Sequence, residues 1–137
     1  MNLEKYTNRL KMIVQNAQEL ALGEDHQQVG SEHFLKALLE ADDGLVRQLI
    51  HLAGGDFASI LLAVDKELGK LPKITGNNQI FLANEMAKIL VDTKKLARES
   101  GDNFVTVEFL FLALAQSESS LVQKIIRDSG CSTEGIK

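Results

Sequence analysis

Five side chains able to hold a metal or move a proton, Glu24, Asp25, His26, Glu32 and His33, fall close together in this 137-residue sequence. Zinc sites on helices draw their ligands from positions i and i+4, as in H-E-x-x-H, because that spacing puts both on one face. Glu32 and His33 are adjacent, so on a helix they point to different faces, and the stretch reads as structural rather than as a metal centre. Ser, His and Asp are all present, but no recognisable nucleophile elbow presents a serine, and Cys131 stands in no motif. No G-x-x-x-x-G-K-[ST] loop is available to cradle phosphates, so P-loop binding of ATP is excluded. The residues predict a binding module with no catalytic group, no metal and no cofactor.

The elements around these residues are helical. Leu3, Tyr6, Leu10, Ile13, Val14, Ala17, Leu20 and Ala21 recur at i, i+3, i+4 and i+7, which makes one apolar stripe on a long helix stopped at Gly23. Ser31 and Glu32 open a second helix, where a carboxylate complements the free N–H groups and the positive end of the dipole. Its buried face holds Phe34, Leu35, Leu38 and Leu39. A third helix carries Leu45, Val46, Leu49, Ile50 and Leu52 up to Gly54-Gly55, and a fourth carries Phe57, Ile60, Leu61, Val64 and Leu68. No sustained period-two alternation appears, so no strands are expected.

Sliding the sequence along itself by 76 positions lays 8–60 on 84–136 without a gap, with thirteen identities among the 53 pairs. Asn8/Asn84, Ile13/Ile89, Leu20/Leu96, Val29/Val105, Glu32/Glu108, Ala37/Ala113, Ile50/Ile126 and Gly54/Gly130 are among them. Apolar matches at helical spacing would arise in unrelated helices, but the gapless register and the Glu and Gly pairs mark a duplication. The second copy repeats the helices: one from about Gln79 to Ser100, a Gly101-Asp102-Asn103 turn, one capped by Thr106 with Glu108 in its first turn, and one through Leu121, Val122, Ile125 and Ile126. A fourth is expected to start near Ser132 and to be cut short at Lys137, the mark of a piece of a longer protein. The expected fold is therefore all-α: two four-helix repeats related by an approximate two-fold axis, the last helix truncated. The whole chain forms one domain, with repeat one over 1–68, a linker over 69–78 holding the only proline, and repeat two over 79–137.

Composition narrows the partners. At 45% hydrophobic and 25% charged residues the chain can bury a core, and its net charge of −4 supplies no positive field for nucleic acid. The longest apolar run, from Phe109 to Ala115, is far too short to span a membrane. MNLEKYTNRL lacks the basic start and apolar core of a signal peptide, and a lone cysteine fits a reducing compartment, so a cytoplasmic location is expected.

Tyr6-Thr7-Asn8, Ala17-Gln18-Glu19-Leu20-Ala21, Glu32-His33-Phe34-Leu35 and Ala37-Leu38-Leu39, in this order, resemble the repeated N-terminal domain of the Clp ATPases. Leu71-Pro72-Lys73-Ile74-Thr75-Gly76 and Gly101-Asp102-Asn103-Phe104 resemble the branch of ClpB-type disaggregases in particular. The resemblance covers essentially the whole chain. It implies a mobile domain tethered to a hexameric AAA+ ATPase, contacting unfolded or aggregated polypeptide; ATP and magnesium would belong to ATPase modules absent here. The isolated domain is expected to be a monomer. The resemblance further implies substrate roles for Thr7, Asp102 and Glu108, and for the apolar groove positions Leu96 and Phe109. Asp92 stands where the family pattern implies an apolar groove residue, which would narrow the apolar patch or turn its preference towards basic segments.

Each position also has a structural role open to it. Asp102 can close its turn through side-chain-to-backbone bonds, Glu108 can serve the helix N-terminus, Thr7 can be a solvated helix residue or part of a polar cluster, and Leu96 and Phe109 can be core. Three functions stand beside one another: capture of polypeptide in a shallow apolar groove; docking of a folded adaptor, as implied by the protease-associated Clp branches; and a stand-alone structural or regulatory role.

Overall fold

A computed structural model describes residues 3–41, 44–76, 79–118 and 120–132. Its helices among these residues are α1 Asn8–Gly23, α2 Ser31–Leu39, α3 Leu45–Leu52, α4 Phe57–Gly69, α5 Asn84–Glu99, α6 Val107–Gln116 and α7 Leu121–Asp128; two strands, β1 Gln28–Val29 and β2 Phe81–Leu82, pair in parallel. α6 is apolar nearly all round, with Val107, Leu110, Phe111, Leu112, Ala113, Leu114 and Ala115 all buried, as befits a central helix. α5 covers it, as α1 covers α2, and α2 and α6 meet in the middle of the core. α1 and α5 are amphipathic: α1 buries only Leu10, Ile13, Val14, Ala17 and Ala21.

The duplication is legible in the helix bounds. Asn8 and Asn84, Ser31 and Val107, and Leu45 and Leu121 begin paired helices 76 residues apart. Leu10 and Met86 are both fully buried, as are Phe34 and Leu110. Backbone pairing crosses between the copies twice, in matching register. Val29 pairs with Leu82, and Tyr6 makes an isolated parallel bridge with Val105, each position again offset by 76. Ala83 N–H donates to Val29 O at 3.0 Å, and its mate Thr7 N–H donates to Val105 O at 3.1 Å. At the far end Asp56 N–H donates to Ser129 O at 3.2 Å and Ser132 N–H to Ala53 O at 2.9 Å, a reciprocal pair at the pseudo-two-fold axis. Gly54 (φ 87°) and Gly130 (φ 103°) meet there; a Cβ on Gly130 would stand 2.8 Å from Gly54 O.

The structure corrects four expectations. Two short parallel pairings exist, because two residues suffice for a backbone pair but cannot show a period. They also displace helix starts: Leu3 and Tyr6 precede α1, and α5 begins at Asn84 rather than Gln79, since 81–82 are strand and Ala83 is its N-cap. Thr106 holds the N-cap position of α6, yet its hydroxyl caps nothing; it is buried with no partner among the described residues. The inter-repeat segment is no free linker: Ile74 N–H donates to Asp25 O at 2.8 Å and Lys73 pairs with Glu24 at 3.4 Å. The fourth helix of the second copy falls on residues 133–137, outside the described residues.

Candidate functional site

Asp92, Leu96 and Glu99 follow one another at i, i+4 and i+7 on α5, so they share a face. With Lys95 and, across the groove, Ala113 and Gln116 of α6, they line a concavity of about 210 Å³. Phe109 lies one turn before Ala113 on α6; it and Leu96 are half-buried, each packed on the core with part of its surface open. Asp92 is exposed and lines the groove, so the charge sits in the groove itself. Lys95, Glu99, Ala113 and Gln116 were missed by sequence reading, although the helical spacing from Leu96 and Phe109 points to them.

The polar trio is only partly brought to this place. Thr7 is the N-cap of α1: its Oγ1 accepts from Leu10 N–H at 3.2 Å while its own N–H reaches Val105 O. That bond sets it beside the segment joining Asp102 to Glu108. Asp102 closes its turn by accepting the Phe104 N–H at 3.1 Å and lines a different cleft, with Lys94 and Arg98. Those two residues follow Asp92 and Leu96 by two positions, about 200° around the helix, so this cleft lies on the other flank of α5. Glu108 is exposed in the first turn of α6 with no hydrogen bond or ion pair among the described residues. Its mate Glu32 is half-buried and lies 3.0 Å from the Ser31 hydroxyl, whose one proton it shares with Glu85 at 2.8 Å. Val107 replaces that serine in the second copy, which leaves Glu108 unengaged.

The stretch that looked metal-like is instead a buried polar chain. Gly30 N–H donates to His33 Nδ1 at 3.0 Å, so the His33 proton is on Nε2, which donates to His26 Nδ1 at 2.8 Å. The remaining His26 proton, on Nε2, is buried without a partner among the described residues. Burial, and then the neighbouring His26, lowers the His33 pKa to about 4. Burial pushes the Cys131 thiol up, with a weaker opposing pull from Ser129, which keeps it away from the reactive thiolate. No group of three or more His, Cys, Asp or Glu among the described residues could hold a metal.

The Clp repeat (R) N-terminal domain model matches residues 5–129. The chain belongs to this family. It is 40% identical over 137 residues to the chaperone protein ClpB of Mesorhizobium japonicum, covering 99% of this chain and 16% of that protein, and 36% identical over 136 residues to ClpB of Rickettsia typhi, covering 98% and again 16%. The chain thus spans about a sixth of the length of these relatives. Among solved structures, the Hsp104 N-terminal domain of Candida albicans matches with a TM-score of 0.84 at 24% identity, covering 98% of this chain and 87% of that one. A Vibrio cholerae ClpV N-domain gives 0.78 at 21%, covering 98% and 81%. A ClpV N-domain in complex with a VipB peptide also gives 0.78 at 21%, covering 98% and 84%. The Clp repeat architecture expected from the sequence is the one found, mostly helical with the two short parallel pairings added.

Proposed function

We propose that this chain is the substrate-recognition domain of a ClpB-like, ATP-dependent disaggregase of the cytoplasm, and that it holds unfolded or aggregated polypeptide in the α5–α6 groove. The observation that carries the reading is the groove itself: half-buried Leu96 and buried Ala113 line it together with charged Asp92, Lys95 and Glu99, and half-buried Phe109 lies one turn before Ala113 on α6. An apolar strip rimmed by charge takes sticky segments with little sequence preference. One such domain binds weakly; six copies on a hexameric ring raise the effective concentration. The resemblance to ClpB chaperones supports the substrate class, and no nucleotide enters the domain's own task.

Titration of the isotope-labelled domain with a permanently unfolded model protein, followed by NMR, tests this. The amides of Leu96, Phe109, Ala113 and Gln116 should move. Phe109→Ser should weaken binding about tenfold, while loss of the exposed Lys124 changes it less than twofold, because apolar contact dominates. Raising salt should have little effect, since exposed charges are screened. Shifts confined to other faces would defeat the groove. Adaptor docking, the second reading, would instead show steep salt dependence and indifference to Phe109→Ser.

Glu108 and Glu32 give a sharper contrast. Glu108 is exposed and unengaged, Glu32 already serves Ser31. Glu108→Ala should therefore reduce capture several-fold with stability unchanged, and Glu32→Ala should leave capture intact. Equal losses at equal stability would show that the two copies contribute alike.

A further inference from the structure

The duplicated fold carries a template for a second binding cleft. Residues 102–105 are the mates of 26–29, and the turns before them match in detail. Asp25 and Gly101 both take left-handed φ, 57° and 73°, and His26 N–H donates to Ala21 O as Asp102 N–H donates to Ala97 O. In the first copy this place is occupied. The segment Leu71-Pro72-Lys73-Ile74 lies across it, with Ile74 N–H on Asp25 O at 2.8 Å, leaving a residual cavity of about 150 Å³ against His26, Gln27 and Gln28. The mate cleft of the second copy measures about 230 Å³.

Its chemistry has also changed. Lys5, Lys94 and Arg98 all line this cleft, and their mates at the 76-residue offset are Phe81, Gln18 and Leu22. None of them makes an ion pair among the described residues. The Lys94 ammonium stands 5.6 Å over the Tyr6 ring. Of the two acids in the cleft, Asp102 already accepts from Phe104 N–H and Glu4 has a partner of its own. Phe104, 58% exposed, supplies an apolar wall.

We propose that this cleft binds an extended polypeptide segment bearing a carboxylate, in the way that the inter-repeat segment fills its mate. A backbone N–H of the ligand donates to Gly101 O, its apolar residue lies on Phe104, and its carboxylate meets Lys5 and Arg98. This is a site on the opposite flank of α5 from the groove, and it selects by charge where the groove selects by apolar contact.

Four short peptides test it by NMR on the labelled domain. Two are capped at both ends, one with the order Leu-Pro-Glu-Ile and one with Leu-Pro-Lys-Ile. Two have the order Leu-Pro-Gln-Ile, one ending in a free carboxylate and one in an amide. The glutamate peptide should move the amides of Lys5, Phe104 and Val105 and bind about tenfold more tightly than the lysine peptide, with affinity falling as salt rises. Arg98→Glu should reverse that order. A free-ended glutamine peptide binding as well as the glutamate peptide, with its amidated twin inert, would assign the carboxylate to a chain end; inertness of both assigns it to a side chain. Equal binding of the lysine and glutamate peptides, an order unaffected by Arg98→Glu, or shifts at Ala113 and Gln116 alone would each overturn the proposal. Groove binding reports at Ala113 and Gln116 and cleft binding at Lys5 and Phe104, so either can fail without the other.

Discussion

Gly130→Ala should lower the unfolding free energy by about 3–5 kcal/mol, measured as a fall in the urea midpoint at unchanged slope. Two costs add. A φ of 103° is strained for any residue with a Cβ, at roughly 1–3 kcal/mol. That Cβ would also stand 2.8 Å from Gly54 O, a backbone atom held by the reciprocal Asp56–Ser129 and Ser132–Ala53 bonds, so it cannot simply swing aside. Gly69→Ala is the control: it ends α4 without a left-handed φ and meets nothing within 4 Å, so it should be neutral or stabilising by about 0.5 kcal/mol. A loss below about 1 kcal/mol for Gly130→Ala would mean that the junction is not closely packed.

Acid should destabilise the domain through His33. Its pKa is about 4 in the fold against an ordinary 6.5, so the unfolded chain binds the proton more readily. The stability that this neutral, buried ring contributes is complete above pH 6.5 and is lost as pH falls from there towards about 4. The shift corresponds to roughly 3 kcal/mol over that window. Protonation places a donor on Nδ1, where Gly30 N–H already points, and so removes the bond that fixes the entry to α2. His33→Gln can accept from Gly30 and donate to His26 without titrating. Urea melts at pH 7.5, 6 and 5 should show wild-type stability falling relative to this variant; parallel curves would mean that His33 titrates at its ordinary value.

Much of the fold was legible because helices announce themselves through a 3.6-residue period, and because duplicated cores keep their register: Leu10 and Met86 could be paired before their burial was known. What period cannot carry was missed. The β1–β2 pairing involves two residues on each side and is made by backbone atoms that every residue has. Leu71-Pro72-Lys73-Ile74 reads as linker chemistry, and only Ile74 N–H on Asp25 O makes it a strap. His26 and His33 sit seven positions apart across a turn, so their bond belongs to the turn's shape and not to helical spacing. In the site, Asp92 and Leu96 come together for a reason visible in sequence, their four-residue separation on one helix. The placing of Asp102 on the far flank of α5 depends on how the turn after Glu99 leaves the helix, and no residue type encodes that.

The reciprocal bonds at Gly54 and Gly130, with the crossed pairings at Val29 and Tyr6, have the form of an isologous contact: each copy gives its counterpart what it receives. A single repeat on its own would expose a surface that a second copy of itself completes. The geometry is that of a homodimer whose subunits have been joined end to end, and joining them released the halves from having to be identical. One half lays the connecting chain across its cleft, while the corresponding cleft of the other is lined by Lys5, Lys94 and Arg98.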